Sequence, residues 1–172
     1  MKAIIFFIIL SINIFAQQQP LKTVDYVDIN KYLGLWYEVA KIPNRFQSQC
    51  VKGTTAKYSM KENGEIEVIN SCIEEDGSTD RTEGVARIVD KKSNAKLEVS
   101  FFSILGWRPI WGDYWIIGLD TNYQWAVVGT PSRKYGWILS RSPKLEKETL
   151  EKIFLMLKEQ GYNPKDFEFS KQ

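Results

Sequence analysis

Histidine is absent from this 172-residue sequence. Without an imidazole the chain can build no Ser-His-Asp or Cys-His catalytic site, no His-ligated zinc site and no His-ligated haem. Cysteine is also scarce, because Cys50 and Cys72 are the only two and they do not form a CxxC pair. We therefore expect no metal site and no cofactor.

The sequence also lacks a cluster of basic residues. Its 23 basic and 21 acidic residues are interspersed and give a net charge of +2. A nucleic-acid-binding protein would concentrate Lys and Arg on one stripe or patch, so we expect no nucleic-acid partner.

Long hydrophobic runs are confined to the start of the chain. Residues 3–10 (AIIFFIIL) follow a positive charge at Lys2, and Ala16 precedes a polar stretch. This pattern predicts a signal peptide over residues 1–16, cleaved near Ala16, with an uncleaved anchor as the alternative. A membrane span needs about 20 apolar residues, and Asn13 interrupts this run.

The compartment follows from that segment. We expect an exported protein, either periplasmic or secreted. Peripheral attachment to the outer membrane is an alternative. The sequence has no cysteine near the cleavage point to carry a lipid anchor. Residues 17–27 would be an N-terminal tail, and the folded domain would cover residues 28–172.

After the tail, short segments of alternating polarity follow one another, separated by turn residues. Aromatic residues make up 13% of the chain and suit half-buried strands. Eight successive strands with short connections predict an all-β fold, an up-and-down antiparallel barrel, because closure removes the exposed edges. An open sandwich is the alternative. The predicted strands are residues 35–42, 53–60, 65–73, 83–89, 96–102, 114–119, 124–130 and 135–141.

One segment near the C-terminus has a helical period. In residues 145–160 the apolar Leu150, Ile153, Phe154 and Leu157 recur at helical spacing, and Gly161 follows as a terminator. We expect an amphipathic helix packed on the barrel wall, with a membrane-surface or partner-binding helix as the alternative.

Three motifs together resemble the signature regions of the lipocalin family. They are GLWYE at residues 34–38, GLDTNY at residues 118–123 and WILSR at residues 137–141. The resemblance extends over residues 28–169. Within the family, the stretches YSM at 58–60 and IEVIN at 66–70 are similar to the bacterial outer-membrane lipocalins and the apolipoprotein D-like group.

The resemblance implies both a structural role and a function. Trp36 would plug the closed end of the barrel and Arg141 would lie across its ring, with Gly34, Tyr37 and Glu38 completing the structural signature. The barrel interior would bind, store or transport a small hydrophobic ligand, most simply a fatty acid or a lysophospholipid.

Strand alternation assigns side chains to the interior once Trp36 is taken to point inward. The strand at 124–130 is apolar on both faces and stays unassigned. A filled core without a cavity is the alternative. The predicted ligand-binding residues are Ala40, Ile42, Ala56, Tyr58, Met60, Val68, Asn70, Ala86, Val99, Phe101, Tyr114, Ile116 and Trp137.

Two other functions remain open. A lipocalin-fold enzyme would need a tyrosine, Glu38 or Cys72 as its reactive group, but no nucleophile–base pair is visible, and we expect no enzymatic activity. A protein that interacts through its surface, with a filled barrel, is the second alternative.

The connection between the fifth and sixth predicted strands is too apolar for an ordinary exposed loop. Three alternatives are a lid, a transient membrane contact and a contact with a second copy. Its apolar residues are Ile104, Leu105, Trp107, Ile110 and Trp111.

A single disulfide between Cys50 and Cys72 is expected in an oxidising compartment. The hairpin turn at Glu62–Gly64 lies between them, so both cysteines fall at the end of the hairpin opposite the turn. Their unequal distances from the turn require a bulge in the pairing. The alternative is two separate thiols.

Overall fold

The computed structural model describes residues 19–172, and the predicted signal peptide, residues 1–16, lies outside the described residues. Apart from two short 3-10 helices, Arg45–Gln47 and Pro164–Asp166, the regular structure of these residues consists of nine strands and two α-helices. They are α1 (Ile29–Tyr32), β1 (Gly34–Lys41), β2 (Lys52–Met60), β3 (Ile66–Ile73), β4 (Thr79–Ile88), β5 (Lys96–Ser100), β6 (Gly112–Leu119), β7 (Trp125–Gly129), β8 (Gly136–Ser140), α2 (Lys147–Glu159) and β9 (Glu168–Phe169).

The first eight strands close into an antiparallel barrel. Each strand pairs with the next, and β1 pairs with both β8 and β2, so the sheet has no free edge between them. The predicted barrel and C-terminal helix are confirmed, and the open sandwich is excluded.

The two ends of the barrel differ. At one end α1 lies under the strands, and Asp28 caps it by accepting a hydrogen bond from Asn30 N (3.0 Å). Val27 and Tyr32 are buried there with the inward side chains, which makes this end closed. The opposite, open end carries the long connections between β1 and β2 and between β5 and β6.

Part of the predicted N-terminal tail packs on the barrel. Leu21 and Val27 are buried, and the Val24 amide donates to the Ile116 carbonyl (3.0 Å) while the Val27 amide donates to Ser93 O (2.8 Å). This segment therefore runs along the barrel before α1.

Helix α2 packs on the outside of the barrel, as its apolar face predicts. Ile153 and Leu157 are buried against Val127 and Ile138 of the wall. A β-carbon on Gly118 would lie 2.7 Å from the Met156 sulfur, so a larger residue there would displace the Met156 side chain. Within residues 19–172, neither helix has the length and apolar character to cross a membrane.

A bulge in β1 corrects two of the predicted ligand-binding residues. The register against β8 shifts between Glu38 and Ala40, so the alternation of faces reverses after Glu38. Ala40 and Ile42 therefore pack outside the barrel with the residues under α2. The prediction that they line the interior is wrong.

The short strand β9 fills a gap between β1 and β2. These two strands pair only from Gly34 to Tyr37, and beyond that point β9 pairs with Ala40 and Lys41. The Ser170 amide donates to Val39 O (2.9 Å), and the Gly53 amide donates to Lys171 O (2.7 Å). The last residues thus bridge β1 and β2 near the open end.

The predicted disulfide joins Cys50 to Cys72, with their α-carbons 5.5 Å apart. The β2–β3 register shifts between Lys52 and Thr55, which supplies the bulge that the unequal spacing requires. The bond ties the connection after β1 to the end of β3 at the open end.

Candidate functional site

The inward side chains divide into two layers. Those nearer the closed end are buried in one interior cluster, whereas those nearer the open end remain partly exposed although they face inward. This partial exposure shows that solvent reaches these inward side chains. The partly exposed residues are Ala56, Asn70, Val99 and Trp137, and together with the layer below them they form what we call the cup.

The deeper layer forms the floor of the cup. Ile116 is fully buried and Tyr58 and Tyr114 are nearly so. Ala56 faces inward too, where it pairs with Trp36 of β1 and Asn70 of β3. The predicted interior residues of this deeper layer are Tyr58, Val68, Ala86, Tyr114 and Ile116.

Below the floor, Trp36 closes the barrel. Its ring is fully buried, its Nε1 donates to Tyr32 O (2.8 Å), and the guanidinium carbon of Arg141 lies 3.7 Å from the ring centroid. Gly34 adopts a φ of +98°, and a β-carbon there would lie 3.3 Å from the Arg141 guanidinium. Glycine is therefore required at this position of the signature for both backbone and space.

Arg141 also ties α1 to the first strand. Its guanidinium donates to the carbonyl oxygens of Lys31 (2.8 Å), Leu33 (2.9 Å) and Leu35 (2.7 Å). The Lys31 carbonyl belongs to the last turn of α1, where a helix leaves acceptors unsatisfied, and the Leu33 and Leu35 carbonyls follow the helix. The arginine is thus structural, a clamp over the plug.

A polar group lies at the upper edge of the cup. The Glu38 carboxylate is buried, accepts a hydrogen bond from Gln47 Nε2 (2.8 Å) and forms an ion pair with Lys41 Nζ (3.2 Å). Gln47 Oε1 accepts from Trp137 Nε1 (3.1 Å). Lys41 pairs with the inward Trp137, so the bulge that turned Ala40 outward turned this lysine inward. Glu38 was predicted as part of the structural signature, whereas strand alternation did not predict Lys41 or Gln47 at this site.

Two further predicted residues lie at the rims. Met60 ends β2 beyond the last β1–β2 pair, Gly34 with Tyr58, and it is 44% exposed. Met60 pairs with the interior residue Ile66 at the closed end, beyond the plug, so it lies outside the cup. Phe101 is 40% exposed at the open end. Its ring packs on Gly84 and occupies the space that a side chain at position 84 would need.

Tyr37, predicted as part of the signature, is half-buried and pairs with Thr55 and Ser140 on the face opposite Trp36. Among the described residues, the one cluster of potential metal ligands is Cys50, Cys72 and Asp80. Its two sulfur atoms are joined in the disulfide, so it is not a metal site.

The apolar connection between β5 and β6 forms a tight turn at the open end. The Ile104 amide donates to Trp107 O (2.8 Å) and the Trp107 amide donates to Ile104 O (2.9 Å). The two residues between them have positive φ, +49° at Leu105 and +83° at Gly106. We call residues 104–107 the tip.

Side chains of the tip are exposed rather than packed across the opening. Leu105 is fully exposed and Trp107 is 67% exposed, and Ile110, which follows the tip, is 63% exposed. Trp111 instead packs on the outer wall, where the guanidinium carbon of Arg87 lies 4.0 Å from its ring centroid. In this conformation the connection is not a lid.

Comparisons with known proteins agree with this architecture. Residues 27–172 match the Lipocalin-like domain. The chain is 37% identical over 150 residues to temperature-induced lipocalin-1 of Arabidopsis thaliana, covering 86% of this chain and 80% of the relative. It is 36% identical over 145 residues to the outer membrane lipoprotein Blc of Escherichia coli K12, covering 84% and 78%.

Apolipoprotein D of Rattus norvegicus is 39% identical over 131 residues, which is 72% of this chain and 65% of the relative. Insecticyanin from the tobacco hornworm Manduca sexta is similar in structure, with a TM-score of 0.73, 24% identity, and coverage of 91% and 86% of the two chains. That structural similarity concerns the fold alone.

Proposed function

This chain belongs to the lipocalin family, and we propose that it binds a fatty acid or a lysophospholipid in the cup, for storage or transport. The observation that carries the proposal is that the apolar side chains of Ala56, Val99 and Trp137 face inward and stay partly exposed, although they pack against a buried interior cluster. Binding is favourable when an acyl chain covers apolar surface that would otherwise remain in contact with water inside the barrel.

The polar edge of the cup suits an amphiphile. Asn70 faces inward beside Ala56, and the Glu38–Lys41 pair adjoins Trp137, so polar groups are available to the head group of a lipid whose acyl chain occupies the interior. The two charges are already paired, so the site gives no preference for one sign of head-group charge. Zwitterionic and singly charged lipids both fit this arrangement.

Lipid titration tests the proposal. Saturated fatty acids from octanoate to octadecanoate and lysophosphatidylcholine are added to the protein while tryptophan fluorescence is recorded. We expect a saturable change with one of these lipids, because Trp137 lies in the cup. The lipids should be recovered chemically unchanged. No response to any lipid, together with tight binding of a tetrapyrrole, would contradict lipid binding.

Export to a compartment next to a membrane is part of the proposal. The predicted signal peptide over residues 1–16 supports it, and so does the similarity to a bacterial protein named as an outer membrane lipoprotein. The disulfide is consistent with an oxidising compartment.

The tip supplies a way to transfer lipid between the cup and a bilayer. Leu105 is unfavourable in water for two reasons. Its side chain is fully exposed, and the left-handed backbone region costs a non-glycine residue about 1 kcal/mol. Trp107 beside it has the amphipathic ring that suits a membrane interface. We infer that the tip inserts into the outer layer of a membrane and brings the open end to the lipid.

A charged substitution in the tip tests this contact. Leu105→Asp should weaken binding to phosphatidylglycerol and phosphatidylethanolamine vesicles about tenfold or more, because the burial of one leucine is lost and a charge is added. Vesicle flotation measures the bound fraction. The control is Val89→Asp, since Val89 is 56% exposed but lies in the turn after β4, at the closed end.

Equal flotation of the wild type and Leu105→Asp would contradict the membrane contact. If light scattering showed instead a wild-type dimer that Leu105→Asp dissociates, the tip would be a contact between two copies of the chain.

A further inference from the structure

Three tyrosine hydroxyls meet at the floor of the cup. Tyr114 Oη lies 2.8 Å from Tyr32 Oη and 2.8 Å from Tyr58 Oη, while the described residues contain no other hydrogen-bond partner for these three oxygens. The three side chains come from α1, β2 and β6, and each is at most 9% exposed. We call them the tyrosine triad.

All three hydroxyls keep their protons at neutral pH. Burial raises the pKa of Tyr58 to about 12, and it raises the pKa of Tyr32 and of Tyr114 well above the ordinary value. The triad is therefore an uncharged group of three O–H donors.

The three hydroxyls of the triad contain one more O–H donor than the hydrogen bonds among them use. Each hydroxyl carries one proton, and the two hydrogen bonds within the triad use two of the three. Whichever way the bonds run, one O–H has no acceptor among residues 19–172. A buried donor without an acceptor is unfavourable, so the floor of the cup is better satisfied when something else accepts this proton.

We propose that the spare O–H of the triad donates a hydrogen bond to a neutral oxygen, a carbonyl or a hydroxyl, on the end of the lipid that enters the cup first. This inference rests on the proposed function and narrows its ligand class. A lipid chain that carries such an oxygen at its buried end binds more tightly than the plain hydrocarbon chain.

The surroundings favour a neutral acceptor over a carboxylate. Buried charge requires a partner of opposite sign. Arg141 is the cation whose charge acts on Tyr32, but its guanidinium lies on the Trp36 ring and donates to backbone carbonyls. Among residues 19–172, no other cation acts on the triad. A carboxylate at the floor would therefore meet one hydroxyl donor and no free positive charge.

Matched probes without a head group test the inference. The affinities of 2-undecanone and undecane are measured by displacement of the fluorescent probe N-phenyl-1-naphthylamine from the wild type and from a variant carrying Tyr32→Phe, Tyr58→Phe and Tyr114→Phe. The ratio of ketone to hydrocarbon affinity should fall about tenfold in the triple variant, because its three rings carry no donor. Tyr26→Phe, at a 61% exposed position, serves as the control and should leave the ratio unchanged.

An infrared measurement on the wild type keeps the inference testable if the triple variant does not fold. The carbonyl stretch of bound, ¹³C-labelled 2-undecanone should lie at lower wavenumber than in alkane solution, as a hydrogen-bonded carbonyl requires. An unshifted stretch, or the same affinity ratio in the triple variant and the wild type, would overturn the role of the triad while leaving lipid binding intact. Failure of both probes to displace the dye would overturn lipid binding in the cup as well.

Discussion

Replacement of Trp36 by alanine is expected to lower the free energy of unfolding by about 3–5 kcal/mol, the range for removal of a large buried aromatic side chain. The indole is fully buried, its ring lies 5.0 Å from that of Tyr32, and its Nε1 donates to the Tyr32 carbonyl. The substitution removes this packing and takes away the surface on which Arg141 rests.

Chemical denaturation followed by circular dichroism measures the loss. Trp107→Ala is the matched control, because Trp107 is 67% exposed in the tip and its replacement should change the stability by no more than about 0.5 kcal/mol. Arg141→Ala should cost less than Trp36→Ala, since water can replace part of its hydrogen bonds to the carbonyls. Unfolding of Trp36→Ala at the wild-type denaturant concentration would show that Trp36 is not the plug of the barrel.

Most of the fold was predictable because it depends on local patterns. All eight barrel strands and helix α2 lie where alternation, turn residues and helical spacing placed them, with boundaries that differ by a few residues. The largest difference is at β4, which begins at Thr79 and not at residue 83. Its first residues are polar and exposed, so they carry no hydrophobic pattern, and only pairing with β3 makes them a strand.

The inward face of the strand predicted at residues 124–130 could not be assigned from the sequence, for a physical reason. In β7, Ala126 and Val128 face the interior, whereas Val127 lies under α2. Both faces are covered, one by the interior cluster and the other by the helix. An apolar pattern on both faces is what such a strand requires, and alternation cannot then distinguish inside from outside.

The errors in the site have one main cause, the bulge in β1. A bulge changes the face of every later residue in the strand, and the sequence VAK at residues 39–41 carries no mark of it. Ala40 and Ile42 were therefore placed inside and Lys41 outside. The tyrosine triad was also out of reach, because Tyr32 comes from the segment before β1 and meets Tyr114 only through the closure of the barrel.

Because Ala40 packs outside the barrel, a bulky residue at position 40 would not obstruct the cup. Tryptophan at position 40 would be forced into the packed layer under α2, whereas Ala56 faces the interior, opposite Trp36 and beside Asn70. Ala56→Trp would fill the space above the floor with an indole. We expect lipid affinity to fall tenfold to a hundredfold, because overfilling a packed space costs about 1–3 kcal/mol and each 1.4 kcal/mol is a factor of ten.

The most direct test of the lipid-binding cup compares Ala56→Trp with Lys57→Trp by calorimetric titration with the fatty acid that binds the wild type. Lys57 is the next residue of β2 and is exposed on the outer face, so the same indole is added outside the barrel. Both variants should remain folded by circular dichroism. The account predicts that Lys57→Trp binds the fatty acid like the wild type and that Ala56→Trp loses most of its affinity. Equal binding by the two folded variants would show that the lipid is not held in the interior of the barrel.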